Sequence, residues 1–273
     1  MTNITLDKVT KGRKKRPPRI ILSGTNGVGK STWASQMPNP LFIDIERGTN
    51  ALDVDRLYAD TEADVLDICH ELLEAKHDYK SLVIDSLDWL ETLLQRSVVQ
   101  QFSKKKEGIQ DISDIEYGRG YMHTLKKLNA TLDLFDELVN KNNMLICLIC
   151  HTHVVNRQDP LLDPYDKIEL KTHAKFGARV KEWCDFLLFA NYDVRTVQRG
   201  EGFKKRNVAI GDESRILYTR GSTAFDAKCR LPIVDPKTGR YELELNFKAF
   251  YDAYKAAFAD PTTKAKETKD GKD

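Results

Sequence analysis

The sequence predicts an α/β fold: a mostly parallel sheet sandwiched by helices, with a C-terminal β-hairpin extension. Largely apolar runs at 19–23, 41–45, 81–85, 144–150 and 186–190 lack the alternation of a half-exposed strand, so helices must cover both faces. Stretches of helical period separate these runs. A region rich in strand formers and turn residues near the C-terminus supplies the hairpin.

Taken in order, the strand at 19–23 enters a glycine-rich turn and a helix of about two turns that ends near Met37-Pro38. The strand 41–45 follows, then a helix over 62–77, the buried strand 81–85 and a helix reaching Phe102. Residues 103–120 combine Lys104, Lys105 and Lys106 with Gly108, Gly118 and Gly120 and read as a mobile loop. A helix over 121–140 places Leu125, Leu128, Leu132, Phe135 and Leu138 on one face. The run 144–150 ends in His151, and 152–172, with Pro160 and Pro164, reads as a polar connection. A helix over 175–183, the strand 186–190, hairpin strands within 204–219 around Gly211-Asp212, and an amphipathic helix over 247–258 complete the core. The domain plan is a basic flexible arm at 1–18, a core at 19–259 and a disordered polar tail at 260–273.

At 273 residues and 41% hydrophobic, the chain has material for a sizeable core. No apolar stretch approaches the roughly 18 residues of a spanning helix, and the basic N-terminus lacks a secretory apolar segment. A cytoplasmic protein without a membrane partner is expected. Cys69, Cys147, Cys150, Cys184 and Cys229 lie mostly in apolar runs and fit reduced core thiols better than a disulfide framework. The net charge of +2 gives no strong overall field. Locally, Lys11, Arg13, Lys14, Lys15, Arg16 and Arg19 form a basic cluster, either a solvated leader or a phosphate-contacting arm.

The segment Gly24-Thr25-Asn26-Gly27-Val28-Gly29-Lys30-Ser31 matches G-x-x-x-x-G-K-[ST] between a strand and a helix. Backbone N–H groups of such a loop wrap a phosphate chain, and Cβ atoms at Gly24, Gly27 and Gly29 would block its approach. Lys30 is expected on the β- and γ-phosphates, Ser31 on Mg²⁺ and Thr32 on the α-phosphate, with the helix N-terminus facing the anion. The implied ligand is a nucleoside triphosphate with Mg²⁺. Asp85 ends its strand either as a second Mg²⁺ ligand or as a cap of the next helix. Glu46 is either the base that orients an attacking water or an ion-pairing residue beside Arg47 and Asp44. His151 stands where a side chain can donate to the γ-phosphate and report its loss. Cys147, Cys150, His151 and His153 have zinc-like spacing, but strand positions three apart face opposite sides, which argues against a shared metal.

Four blocks, GTNGVGKST, FIDIERG at 42–48, SLVIDSLDWL at 81–90 and LICLICHTH at 145–153, resemble RecA-fold P-loop ATPases. Within that fold they resemble phage nucleotide-binding proteins that include RecA-like single-strand annealing proteins, over roughly residues 19–250. The resemblance implies an ATPase that uses ATP and Mg²⁺, binds single-stranded DNA and supports recombination or annealing. It also implies a homo-oligomeric ring or filament, with a single-strand-binding or replication protein as a further partner. Under it, Glu46 is the catalytic glutamate, Asp85 the Walker B carboxylate and His151 a γ-phosphate sensor where RecA has glutamine. Lys30 completes the catalytic set. Arg220, Lys228 and Arg230, in the basic segment 220–230, are candidates to reach a neighbour's γ-phosphate, or belong to an exposed loop of mixed charge. Segments 103–120 and 152–172 correspond to DNA-binding loops, although Asp159, Asp163, Asp166 and Glu169 in the second would repel phosphates. Two other classes share the phosphate loop: a nucleotide kinase, which needs an acceptor pocket and usually an arginine-bearing lid, and an ATP-dependent replication adaptor of the helicase-loader type.

Overall fold

The computed structural model describes residues 9–12, 14–158, 163–199 and 206–259, with the backbone alone over 194–199 and 206–213. The tail expected at 260–273 and most of the N-terminal arm lie outside these residues.

Six strands form the parallel body of the sheet: β1 (Arg19–Gly24), β2 (Pro40–Asp44), β3 (Asp55–Tyr58), β4 (Ser81–Asp85), β5 (Leu145–Arg157) and β7 (Phe186–Arg199). Their spatial order is β3-β2-β4-β5-β1-β7, with every neighbouring pair parallel. Beyond β7, β8 (Arg206–Tyr218) and β10 (Glu242–Glu244) extend the sheet antiparallel. β6 (Tyr165–Leu170) pairs with the outer half of β5, and β9 (Lys228–Cys229) pairs with the start of β7.

The apolar runs alternate between two core layers, as buried strands require. Ile21, Leu82, Ile84, Ile146, Leu148 and Cys150 face α2 (Glu62–Glu74), α3 (Leu87–Ser103), α4 (Arg119–Lys141) and α5 (Ala174–Trp183). On the other side Leu22, Val83, Cys147 and Ile149 face α1 (Lys30–Ser35) and α6 (Phe247–Phe258). Cys147 and Cys150 therefore lie in opposite layers. Local signals set the helix ends. Thr61 and Asp64 form a reciprocal capping box at α2, and Asn246 accepts from Ala249 N at 2.7 Å to start α6. Among the described residues no helix is long and apolar enough to cross a membrane.

Three expectations change, and one strand is added. Within 103–120 the first part, 103–108, is exposed as a loop should be, but the rest is packed: Ile109, Ile112 and Ile115 are buried against Val98, and two 3₁₀ turns, Ile112–Asp114 and Glu116–Gly118, carry the chain into α4. The isoleucine spacing of three residues is hidden by the surrounding lysines and glycines. The described parts of 152–172 are not a polar connection. β5 runs on to Arg157 and pairs antiparallel with β6, forming an arm on which Arg157 neutralises Glu169 and Asn156 bonds Asp166. Gly211-Asp212 is no turn, because Gly211 pairs with Val194 inside the β7–β8 ladder. β3 is an addition, too short and exposed to show an apolar run.

The end of the basic arm is docked. Asp185, 7% exposed, accepts from Arg19 N at 3.1 Å, from the Arg19 guanidinium at 3.1–3.2 Å and from Arg16 Nη2 at 3.0 Å. Arg19 also reaches Asp136 on α4 at 2.9 Å and lies over the Trp183 ring. This cluster ties the starts of β1 and β7 to both α4 and α5. Burial alone would raise the Asp185 pKa, but the hydrogen bonds and charge of Arg19 outweigh it and hold the group below its ordinary value. A depressed carboxylate stabilises fully above its unfolded pKa of about 3.9, and that contribution disappears as pH falls through the folded value. Asp185→Ala is expected to cost about 3 kcal/mol in urea unfolding at pH 7 and to flatten the acid limb of the stability curve.

Candidate nucleotide site

The site forms at the carboxyl edge of the parallel sheet, where register aligns Gly24 with His151 and Asp85 with Asp44. The phosphate loop leaves β1 at Gly24 and returns into α1 at Lys30. Thr25 and Asn26 lie exposed at its lip, Val28 is buried beneath it, and Thr32 faces outward from α1. Gly27 and Gly29 adopt φ of 75° and 102°, backbone that favours glycine. Gly24 is also required by the packing of the sheet, since a Cβ there would clash with Ala190 O of β7.

Lys30 is buried, and its Nζ donates to Gly24 O and Thr25 O, both at 2.9 Å. Burial lowers its pKa against the raising influence of Asp85, Cys150, Asp88 and Glu46. Those carbonyls hold the ammonium in place at the loop's centre. Ser31 Oγ donates to Asp85 Oδ2 at 2.7 Å. Asp85 therefore does not cap α3. Burial pushes the Asp85 carboxyl up to about 6, with Glu46 and Asp44 adding to the rise while Ser31 and Lys30 oppose it.

The turn after β2 presents Glu46. Asp44, fully buried, accepts from Gly48 N, Thr49 N and Thr49 Oγ1, while Ile45 N and Glu46 N donate to Asp85 O. The ion-pairing alternative for Glu46 is not realised, because Arg47 turns away to Asp60 at 2.8 Å and over the Tyr58 ring. Glu46 instead faces Ser86 Oγ at 3.4 Å and His151 Nε2 at 3.8 Å. Glu46, Lys30, Asp85 and His151 thus surround one space at the mouth of the phosphate loop.

A strand-to-helix phosphate loop, a serine-bound carboxylate at a neighbouring strand end and a glutamate beside them are shared features of P-loop nucleotide sites. A family model described as an AAA domain matches residues 16–231. The chain belongs to this family of P-loop AAA-type ATPases. Membership points to nucleotide binding and ATPase activity, and with them to the usual Mg²⁺. No match was found among curated proteins.

The AAA domain's oxygen donors suit magnesium. Ser31 Oγ and Asp85 would hold it, leaving the remaining positions to phosphate oxygens and water, as this hard cation prefers. Among the described residues no group of three or more His, Cys, Asp or Glu side chains could hold a metal without such help. When bound, Mg²⁺ would neutralise charge developing on the phosphates.

Several residues of the AAA domain join the site without a sequence motif to announce them. Asp88, in the first turn of α3, accepts from His151 Nδ1 at 3.0 Å and from His151 N at 3.2 Å. Its spacing of three from Asp85 is a usable signal. Tyr192 OH donates to Gly27 O at 3.0 Å, and Arg215, its register partner on β8, brings Nη1 within 2.8 Å of where a Gly29 Cβ would sit. No sequence pattern reveals a strand register. Behind Asp88 opens a cleft of about 450 Å³ lined by Trp89, Arg96, His153, Lys171 and His173. Glu91 at its floor accepts from His173 N at 3.0 Å, and burial pushes its carboxyl up to about 7.

The three late basic residues lie apart from their own nucleotide site. Lys228 donates to Lys181 O, Arg230 reaches Asp185 and Glu182 O, and Arg220 lies over the Tyr241 ring. Lys228 and Arg230 flank the start of β7, the opposite end of the sheet from the phosphate loop.

A raised carboxylate pKa means that the folded state binds its proton more tightly than the unfolded state does. Stability from this group is therefore highest at low pH and falls as pH rises from about 4 to 6. Asp85→Asn should raise the nucleotide-free unfolding free energy at pH 7 by about 1–3 kcal/mol. The same variant should lose the extra thermal stabilisation that Mg²⁺ adds to ATP, read by melting with ATP in EDTA or in magnesium.

Proposed function

We propose that this protein is a RecA-like, phage-type ATPase that binds single-stranded DNA and supports recombination or annealing. The observation that carries the reading is the continuity of β5: it passes His151 at the nucleotide site and extends directly into the arm formed with β6. Mg·ATP would sit on residues 24–32, with Ser31 and Asp85 holding the metal. Glu46 would polarise an in-line water, and Lys30 would steady the transferring phosphoryl group. His151 would pass the state of the nucleotide to the arm.

Support for the DNA partner comes from the cleft at the arm's base, which joins a half-exposed indole, Trp89, to the cations Arg96 and Lys171, with Asp88 and Glu91 in its lining engaged by His151 and His173 N. An aromatic platform beside cations is what a single strand uses, bases stacking while phosphates pair. Of the acidic residues expected to repel DNA, Glu169 is neutralised by Arg157, while Asp166 accepts a hydrogen bond from the Asn156 amide and keeps its charge. Asp159 lies outside the described residues, and Asp163 is exposed. A homo-oligomer with nucleotide near the subunit interface fits the remote placement of Lys228 and Arg230, which could reach a γ-phosphate only in a neighbour.

ATP turnover with and without single-stranded DNA tests the reading. Wild-type turnover should rise at least several-fold with DNA, and Glu46→Gln should lose about 100-fold. Trp89→Ala with Lys171→Ala should abolish stimulation while leaving basal turnover within about twofold. DNA-independent turnover, or activity surviving Glu46→Gln, would point instead to an assembly adaptor, and transfer to a nucleotide to a kinase.

A further inference from the structure

We infer that His151 is a second hydrogen-bond acceptor for the attacking water, and that Asp88 is the positioning residue that gives it this role; the inference rests on the hydrolytic reading above. Asp88 is a carboxylate and offers only acceptors, so the ring nitrogen 3.0 Å from it, His151 Nδ1, must carry a proton. The backbone N–H of His151 donates to the same carboxylate, which fixes main chain and ring together. Both side chains are well covered, at 9% exposure for Asp88 and 13% for His151. In the neutral imidazole a protonated Nδ1 leaves Nε2 with a lone pair and no hydrogen. That lone pair faces Glu46 Oε2 across 3.8 Å.

Two acceptors at this separation cannot bond each other, but one water can donate a hydrogen to each. A water so held has its own lone pair free on the side away from both hydrogens. Lys30 and the phosphate loop lie beside this space, so that lone pair can be presented to the γ-phosphorus of a bound triphosphate. In the reaction the water oxygen forms the new bond to phosphorus, and the bridging oxygen of ADP departs with the old bonding pair. One water proton passes to Glu46 Oε2. The other stays on the oxygen that becomes part of inorganic phosphate, still directed at His151 Nε2. A donor to the γ-phosphate would need hydrogen on Nε2, the atom that the Asp88 contact leaves bare in the neutral ring. His151 is therefore catalytic through the water, while Asp88 acts only through His151.

The test combines the imidazole proton position with kinetics. Long-range ¹H–¹⁵N spectra of histidine-labelled full-length protein, with His151 assigned by its loss in His151→Gln, should show a neutral ring protonated at Nδ1. Asp88→Ala should shift that ring toward the Nε2-protonated form and lower kcat about tenfold, with KM for ATP within about twofold. His151→Lys, which can only donate, should lose more than tenfold in kcat. A wild-type ring carrying a proton on Nε2, alone or together with one on Nδ1, or His151→Lys with wild-type turnover, would overturn the inference while leaving hydrolysis intact. Absence of any ATP turnover by the wild type would overturn the hydrolytic reading and this inference together.

Discussion

The parallel register of β1 with β5 and β7 is the constraint on which the site depends. Gly24 is squeezed against Ala190 O on one side and paired with His151 on the other, so the phosphate loop can start at only one height along the sheet. The same edge receives Asp85 and Asp44 through β4 and β2. A one-residue slip of any of these strands would send its side chains into the opposite core layer, where the neighbours they are shaped to pack against are absent. Core packing therefore fixes the site's geometry. The Arg19–Asp185 cluster at the far end anchors β1 and β7, so that the edge carrying the phosphate loop is held from below as well.

Electrostatically, the nucleotide-free site is out of balance. Asp44, Glu46, Asp85 and Asp88 gather around one buried ammonium, Lys30. Asp44 is satisfied by the turn it folds and Asp88 by His151, which leaves Asp85 as the carboxylate whose charge is most disfavoured. A divalent cation arriving with a triphosphate would supply positive charge there, and the N-terminus of α1 and the loop amides would receive the negative phosphates. A ligand that binds only the folded form stabilises it by its own binding energy.

Asp88 links two spaces. Its carboxylate holds His151 on the nucleotide side, while the same turn of α3 lines the cleft with Trp89 and Glu91. Glu91 in turn accepts from His173 N at the start of α5, next to the stacked Tyr121 and His173 rings. One short stretch of helix thus touches His151, the floor of the cleft and the helix that follows the arm. A shift of α3 by a fraction of a side chain would be felt in all three places, because packed interiors move as units.

Local chemistry makes much of this molecule readable from its residues. The glycine-rich loop between strand and helix, the apolar runs that demand two covering layers, and polar residues at the ends of those runs all direct Lys30, Ser31, Glu46, Asp85 and His151 to one edge of the sheet. Composition misleads where side chains and pattern disagree, as at 103–120, whose three isoleucines are masked by lysines and glycines, and at 152–172, whose prolines and charges hide two paired strands. Tertiary structure alone decides that β5 lies between β1 and β4, that Arg16 and Arg19 turn inward onto Asp185, and that Asp88 meets His151. It also brings Tyr192 and Arg215 to the phosphate loop. Propensity and periodicity act between residues close in sequence, so they specify which segments are buried. Strand order and register are set by how those buried faces fill one common core, and no residue encodes that alone.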